Sequence, residues 1–254
     1  PESGAMNVMH WFTSPDLKSW SYQGPIAWGV TSLGVHQEDS NTLGITLIQE
    51  VRPPTWWEQQ FPAVYGYLFD GDSFAPTSWS IGDSATKSYI DPQMYRGEMW
   101  YISPSGYTGD PAKAPSTPIR SSSGKSHYEA PRVSDPSPVD VGGTTHVFAT
   151  QNGSLVHLTG EPLRPVIDPD ESRHFSGTTV PFAFVHNDDL YLVAQRQFDG
   201  RRIPMISKYT AAKRWNGWKP IAEIPPNIFA CTSPIVAPNP KGGWVMMCIE
   251  EKRR

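Results

Sequence analysis

Four segments of this 254-residue chain repeat one pattern, in which a residue followed by proline opens a short apolar run that leads through a polar turn into a second apolar run. The four dipeptides are Asp91-Pro92, Asp135-Pro136, Val180-Pro181 and Ser233-Pro234, and their prolines lie 44, 45 and 53 residues apart. Such a period is typical of architectures in which similar small units recur in space.

Short runs of aromatic and β-branched residues indicate strands rather than helices. They are VYGYLF (64–69), MWYIS (99–103), THVFAT (145–150), LYLVAQ (190–195) and WVMMCI (244–249). Between such runs lie Arg96-Gly97, Gly142-Gly143 and Asn187-Asp188, which suit tight hairpins because these residue types tolerate a positive φ. The chain is therefore predicted to be all-β.

The repeats predict a five-bladed β-propeller with four strands per blade, formed as a single domain by residues 1–254. Four blades are expected at about residues 34–82, 88–128, 129–170 and 176–224. Only two strands can follow Ser233-Pro234, and the segment MHWFTSPDLKSWSYQGPI (9–26) supplies two more. We therefore expect the two ends of the sequence to complete one blade together, which leaves no open sheet edge.

Composition limits the partners of the chain. The net charge is −4 without a basic run, so a nucleic acid is not expected, and no apolar run approaches the length of a membrane span. The two cysteines, Cys231 and Cys248, flank a predicted hairpin and fit either a cross-strand disulfide or two buried thiols. We expect a monomer. No signal peptide is visible, although a secreted or periplasmic location is favoured.

The first strand of each blade runs along the central channel, so polar residues at these strand starts are expected to meet at one mouth. The candidates are His36, Gln37, Glu38, Asp91, Glu129, Asp135, His174 and Ser233. Two carboxyl groups facing one cavity suit glycosidic bond cleavage, in which a protonated acid assists the leaving oxygen while a carboxylate activates water or attacks the anomeric carbon. Shared burial separates the pKa values of such a pair.

Three segments resemble motifs of the five-bladed glycosidases of glycoside hydrolase family 43, which includes arabinanases, arabinofuranosidases and xylosidases. MHWFTSPDLKSWSYQGPI resembles the end of that family's first blade, YIDPQMYRGEMWYIS its third-blade Ile-Asp-Pro motif, and HYEAPRV its fourth-blade Glu-Gly/Ala-Pro motif. The resemblance implies that Glu129 is the general acid and that Asp91 tunes its pKa and orients the substrate. It also implies that His174 matches a channel histidine near a water or a structural calcium ion, with no cofactor required.

The chain departs from the family at Ser233, which stands where the resemblance places the aspartate that acts as general base. Either another carboxylate has taken this role, with Asp135, Asp39 and Glu38 as the options, or hydrolysis has been lost. In the second case the propeller would only bind a glycan or a protein. A third reading is an enzyme of unrelated chemistry on the same scaffold, because a fold does not fix a function.

Carbohydrate is the expected ligand. Trp56 and Trp57 lie in a segment between strands, where flat rings could stack on the C–H faces of a sugar. His36, Glu38 and Ser233 are the further candidates for substrate contacts. The segment 103–127 is expected to be a long polar loop, either a rim over the channel mouth or a simple blade insertion.

Overall fold

The computed structural model describes residues 7–49, 63–81, 90–102, 116–198, 200–210, 214–225, 227–228 and 230–250. These residues form five antiparallel sheets, and the innermost strands of neighbouring sheets contact one another in a closed ring. The sheets are the blades of a five-bladed β-propeller, which confirms the predicted fold class. No helix in the described ranges is long and apolar enough to cross a membrane.

The first blade combines β1 (Val8–Ser14) and β2 (Ser21–Trp28) with the last two strands of the chain. The second blade contains β3 (Val30–Asp39), β4 (Thr42–Gln49), β5 (Ala63–Phe69) and β6 (Phe74–Ile81). The third contains β7 (Ile90–Tyr95), β8 (Glu98–Ile102), β9 (Ser116–Ser121) and β10 (Ser126–Pro131).

The fourth blade contains β11 (Val133–Val141), β12 (Thr144–Gln151), β13 (Ser154–Thr159) and β14 (Arg164–Pro165). The short helix α1 (Pro169–His174) follows it. The fifth blade contains β15 (Thr178–His186), β16 (Asp189–Phe198), β17 (Arg201–Thr210), β18 (Arg214–Trp215) and β19 (Lys219–Pro220). Strands β20 (Thr232–Pro238) and β21 (Trp244–Glu250) then complete the first blade in the order β2-β1-β21-β20.

The ring is closed by the antiparallel ladder between β1 and β21, as predicted. Its register runs from Val8 opposite Glu250 to Ser14 opposite Trp244. A buried polar link reinforces it: His10 Nε2 lies 3.1 Å from Glu250 Oε2, and His10 Nδ1 lies 3.0 Å from the hydroxyl of Tyr22. The link therefore joins β1 to both of its neighbouring strands.

Blades pack face to face, and strand alternation assigns each side chain to one neighbour. On β21, Val245 and Met247 pack toward the second blade, while Met246 and Cys248 pack toward the fifth. All four are at most 1% exposed. Burial on both faces explains why this strand appears in the sequence as an unbroken apolar run.

Each of the four X-Pro dipeptides forms a β-bulge near the start of an innermost strand, where the register shifts by one residue. The innermost strand of the second blade has a similar shift at Thr31 without a proline. Neighbouring strands approach closely there, since a Cβ on Gly34 would overlap the carbonyl oxygen of Pro92. The bulges thus bring backbone and side chains together around the axis.

Two expectations from the sequence are corrected. Within the predicted loop 103–127, residues 116–121 form β9, residues 122–125 form a turn and Ser126 begins β10; residues 103–115 lie outside the described residues. The third blade consequently extends to Pro131 and includes residues assigned to the fourth. The sequence concealed β9 because its STPIRS pattern contains Ile119 as the one large aliphatic residue in a polar strand.

The two cysteines form a disulfide, so the alternative of two free thiols is wrong. Cys231 lies directly before β20 and Cys248 lies on β21, and both are fully buried. The bond closes a loop of 17 residues within the C-terminal hairpin. It does not cross the ladder between β1 and β21.

We predict that replacing both cysteines by alanine lowers the free energy of unfolding by about 3 kcal/mol, because the bond no longer restricts the unfolded chain. Urea denaturation of the double variant and of the oxidised protein measures this difference. An unchanged midpoint with an unchanged slope would contradict the prediction.

We predict that Glu250→Ala destabilises the propeller by about 2 kcal/mol, since it removes the partner of the buried His10 at the closing ladder. The matched control is Glu38→Ala. Glu38 is 52% exposed in its side chain and pairs with His36 within one strand, so its removal should change stability by less than about 0.5 kcal/mol. Equal losses in the two variants would refute the assigned role of the link.

Candidate functional site

The starts of the five innermost strands enclose a small cavity on the propeller axis, of about 20 Å³. Its polar lining residues are Ser32, Asp91, Gln93, Asp135 and Ser233. A polar cavity of this size has room for about one water molecule. A ligand larger than water would therefore lie mostly outside this cavity, with only a few of its atoms near the lining residues.

The carboxylate of Asp91 is the centre of this site. The hydroxyl of Ser32, on β3, donates to Asp91 Oδ1 at 3.1 Å. The backbone N–H of Asp135, on β11, donates to Asp91 Oδ2 at 2.9 Å. Because Asp91 belongs to β7, one side chain joins the second, third and fourth blades.

Burial raises the pKa of Asp91 to about 7, and the nearby charge of Asp135 adds to this effect. The hydrogen bonds from the Asp135 backbone and the Ser32 hydroxyl favour the ionised form and oppose the shift, but burial prevails. Asp91 therefore keeps its proton far above the pH at which an aspartate normally ionises. A carboxyl group that keeps its proton can act as an acid beside a second carboxyl group.

Backbone strain is concentrated at the same mouth. The residues before the four repeat prolines all have a left-handed backbone, with φ of 52° at Asp91, 53° at Asp135, 53° at Val180 and 48° at Ser233. Aspartate tolerates this region, whereas a β-branched valine is strained there, at a cost of roughly 1–3 kcal/mol. The N–H of Val180 donates to Thr150 Oγ1 at 2.8 Å, which helps to hold that position.

The structure brings together Asp91, Asp135 and Ser233 from the sequence-based candidates. It does not bring Glu129 to them: Glu129 lies on β10, the outermost strand of the third blade, opposite Pro118, and it is exposed. The expectation that Glu129 begins the innermost strand of the fourth blade is therefore wrong. Asp135 occupies the start of that blade instead.

Other candidates also lie elsewhere. His36, Gln37, Glu38 and Asp39 end β3 rather than begin it, because the second blade starts at Val30 without a proline. His36 Nε2 is 2.9 Å from Glu38 Oε2. Trp56 and Trp57 fall outside the described residues.

His174 does not line the axial cavity. It ends α1, its Nε2 lies 2.7 Å from Ser207 Oγ, and its ring stacks with Trp218 at 5.1 Å. Within the described ranges, no three His, Cys, Asp or Glu side chains are grouped to hold a metal ion. His174 lines a different cavity, beside α1, so it does not take the place in the channel that the resemblance implied.

Sequence reasoning missed Ser32 and Gln93. Gln93 Nε2 donates to the carbonyl oxygen of Leu33 at 3.2 Å, which ties the third blade to the second beside Asp91. Gln93 directly follows the repeat proline, so its position in the motif was a usable signal. Ser32 carried no such signal, since its blade lacks the proline.

Several solved structures share this architecture. A thermostable family-43 glycoside hydrolase matches with a TM-score of 0.55 and 11% identity, over 87% of this chain and 88% of that chain. The chain shares the five-bladed fold of these glycoside hydrolases. An α-L-arabinofuranosidase from Lactobacillus brevis matches with a TM-score of 0.58 and 10% identity, over 89% of this chain and 85% of its own.

An exo-β-1,3-galactanase from Phanerochaete chrysosporium matches with a TM-score of 0.51 and 13% identity, over 94% of this chain and 64% of its own. No model of a protein family matches the sequence, and a search of curated proteins found no similar sequence. The likeness therefore concerns the fold, and function must be argued from the site.

We predict that Asp91→Asn makes the protein more stable than the wild type at about pH 8, by an amount on the order of a few kcal/mol. The raised pKa of Asp91, about 7, means that its stabilising contribution is complete below about pH 4 and is lost as the pH rises through 7. Asparagine accepts the same backbone hydrogen bond and cannot ionise.

Urea denaturation at about pH 4 and about pH 8 measures this effect for each variant. Asp188→Asn is the matched control, because Asp188 also has a left-handed backbone, with φ of 62°, but lies exposed in a hairpin turn. If the free energies of unfolding of Asp91→Asn and Asp188→Asn change equally between the two pH values, the burial of the Asp91 charge has no energetic consequence.

Proposed function

We propose that this protein hydrolyses glycosidic bonds of an oligo- or polysaccharide at the mouth of the axial channel. The observation that carries the proposal is the pair of carboxyl side chains, Asp91 and Asp135, at the starts of adjacent innermost strands, both lining one cavity. The raised pKa of Asp91 favours a state near neutral pH in which one group is protonated and the other ionised.

In this proposal Asp91 is the general acid and protonates the leaving oxygen. Asp135 is the carboxylate that activates a water or attacks the anomeric carbon. Ser134 Oγ donates to Asp135 Oδ2 at 2.6 Å, which orients this carboxyl group. The roughly 20 Å³ cavity beside the pair could hold the attacking water.

Ser233 bears on which residues act as acid and base, because it lines the same cavity but has no carboxylate. The acid and the base must then come from the third and fourth blades rather than from the first. Ser233 is assigned a substrate-positioning role, as donor or acceptor to a sugar hydroxyl. A structural calcium ion in the channel stays a prediction.

The remaining expectations belong to the same proposal. The substrate is a carbohydrate, and Trp56 and Trp57 would stack on sugar rings beyond the reacting bond. The protein acts as a monomer. The disulfide favours an oxidising compartment, consistent with a secreted or periplasmic location.

The test is hydrolysis of a panel of aryl arabinofuranosides, xylosides and galactosides, together with arabinan and β-1,3-galactan. We predict that Asp91→Asn and Asp135→Asn each lower kcat by about 10²–10⁴. The rate should fall as the pH rises through about 7, because the Asp91 pKa near 7 sets the loss of the acid.

Asp188→Asn is the control and should retain full activity. Glu129→Gln distinguishes the two assignments of the acid: loss of activity would restore the assignment made from the sequence, and retention supports Asp91. Saturable sugar binding without product from the unmutated protein would replace hydrolysis by the binding-only alternative.

A further inference from the structure

A second cavity lies between the fourth and fifth blades, beside α1, with a volume of about 480 Å³. It shares no lining residue with the axial cavity. Its size falls within the range of pockets that bind small molecules. Val141 and Leu190 form apolar parts of its wall, and Trp215 and Tyr209 add aromatic rings.

A chain of three buried or half-buried polar side chains leads into this cleft. Glu171 Oε1 lies 2.6 Å from His157 Nδ1, and His157 Nε2 lies 2.8 Å from His146 Nδ1. The side chains of His157 and Glu171 are only 9% and 13% exposed. Trp215 Nε1 donates to the other oxygen of Glu171 at 3.3 Å, so both carboxylate oxygens are occupied.

When both imidazoles are neutral, the chain of hydrogen bonds fixes their tautomers. An ionised Glu171 accepts a proton-bearing nitrogen, so His157 carries its proton on Nδ1 and presents a lone pair on Nε2. His146 must then donate through Nδ1, which leaves the lone pair on its own Nε2. Burial and the neighbouring His157 lower the pKa of His146, so the neutral ring prevails at neutral pH.

Ring stacking holds the His146 imidazole in a fixed orientation. His157 stacks on the fully buried Phe148 with ring centroids 4.3 Å apart, and His146 stacks on His157 at 5.1 Å. His146 lines the cleft, and none of the hydrogen bonds found for His146 among the described residues uses its Nε2. A preorganised hydrogen-bond acceptor therefore faces the cleft.

The charged side chains around the cleft indicate whether a ligand would be an anion, a cation or uncharged. Arg214 pairs with Asp168, and Arg173 pairs with Asp170. These guanidinium groups are already neutralised, so the site does not favour an anion. Each oxygen of the Glu171 carboxylate already accepts a hydrogen bond, from His157 and from Trp215, and the side chain is only 13% exposed, so little of it is open to a cation. An uncharged donor beside aromatic rings fits best.

We propose that this cleft binds an uncharged polyhydroxy compound, such as a single sugar residue, through a hydroxyl that donates to His146 Nε2 and a ring face that lies against Trp215. Binding here is independent of the reaction proposed at the axis. Glu171 and His157 are positioning residues, because they act through His146.

The first experiment records imidazole nitrogen resonances of the full chain at about pH 8. We expect His146 and His157 to carry their protons on Nδ1. In Glu171→Gln the Nε2–H tautomer should appear for His157. A wild-type His146 protonated on Nε2 would overturn the proposal, because no acceptor would then face the cleft.

The second experiment titrates the protein with galactose, arabinose and xylose and follows the His146 resonances and the indole N–H of Trp215. At least one sugar should shift both saturably. His146→Phe keeps an aromatic ring but removes the acceptor, and should weaken binding by at least about tenfold. Asp91→Asn should leave this binding unchanged, which separates it from the axial site.

Three results would overturn the proposal. The first is no saturable shift with any sugar, and the second is equal affinity of His146→Phe and the wild type. The third is stronger binding of a simple alkylammonium ion than of the sugars, which would make the cleft a cation site. Loss of hydrolysis in Asp91→Asn with retained binding would support two separate sites.

Discussion

The packing of the blades around the propeller axis depends on the carboxyl group of Asp91. Asp91 accepts a hydroxyl from the second blade and a backbone N–H from the fourth while belonging to the third, so three of the five blades converge on it. The burial that makes it a structural link also raises its pKa to about 7. The same packing therefore sets both the stability of the blade contacts at the axis and the proton affinity of Asp91. The chemistry proposed for this site follows from how the blades pack against one another.

The repeated bulge explains why the reactive groups gather where they do. A left-handed residue before each proline turns its strand toward the axis, and aspartate, serine and valine occupy these equivalent positions. The fold thus has a ring of equivalent strand positions at which different residue types fit the same backbone. Function then depends on which positions carry a carboxyl group. Here the carboxyl groups come from Asp91 and Asp135 and not from Ser233.

The sequence revealed the fold because proline, turn residues and strand runs recur with one period. It also predicted the shared first blade, since each end supplied half of a pattern. The site was harder. Polar β9 hid the true end of the third blade and moved Glu129 into the wrong strand. The innermost strand of the second blade lacks the repeat proline, so His36 was placed at the wrong end of β3. His146, His157 and Glu171 come together only through pairing of separate elements, which no local pattern records.

The ladder between β1 and β21 has a further consequence. The disulfide joins Cys231, directly before β20, to Cys248 on β21 and so lies on one side of this ladder. Hydrogen bonds between β1 and β21 close the ring, and Val8 is opposite Glu250 in that ladder. A short peptide could join Val8 to Glu250, and the chain could be cut at another blade boundary. The resulting circular permutant would keep the strands of every sheet, and its two chain ends would lie at a different position around the ring.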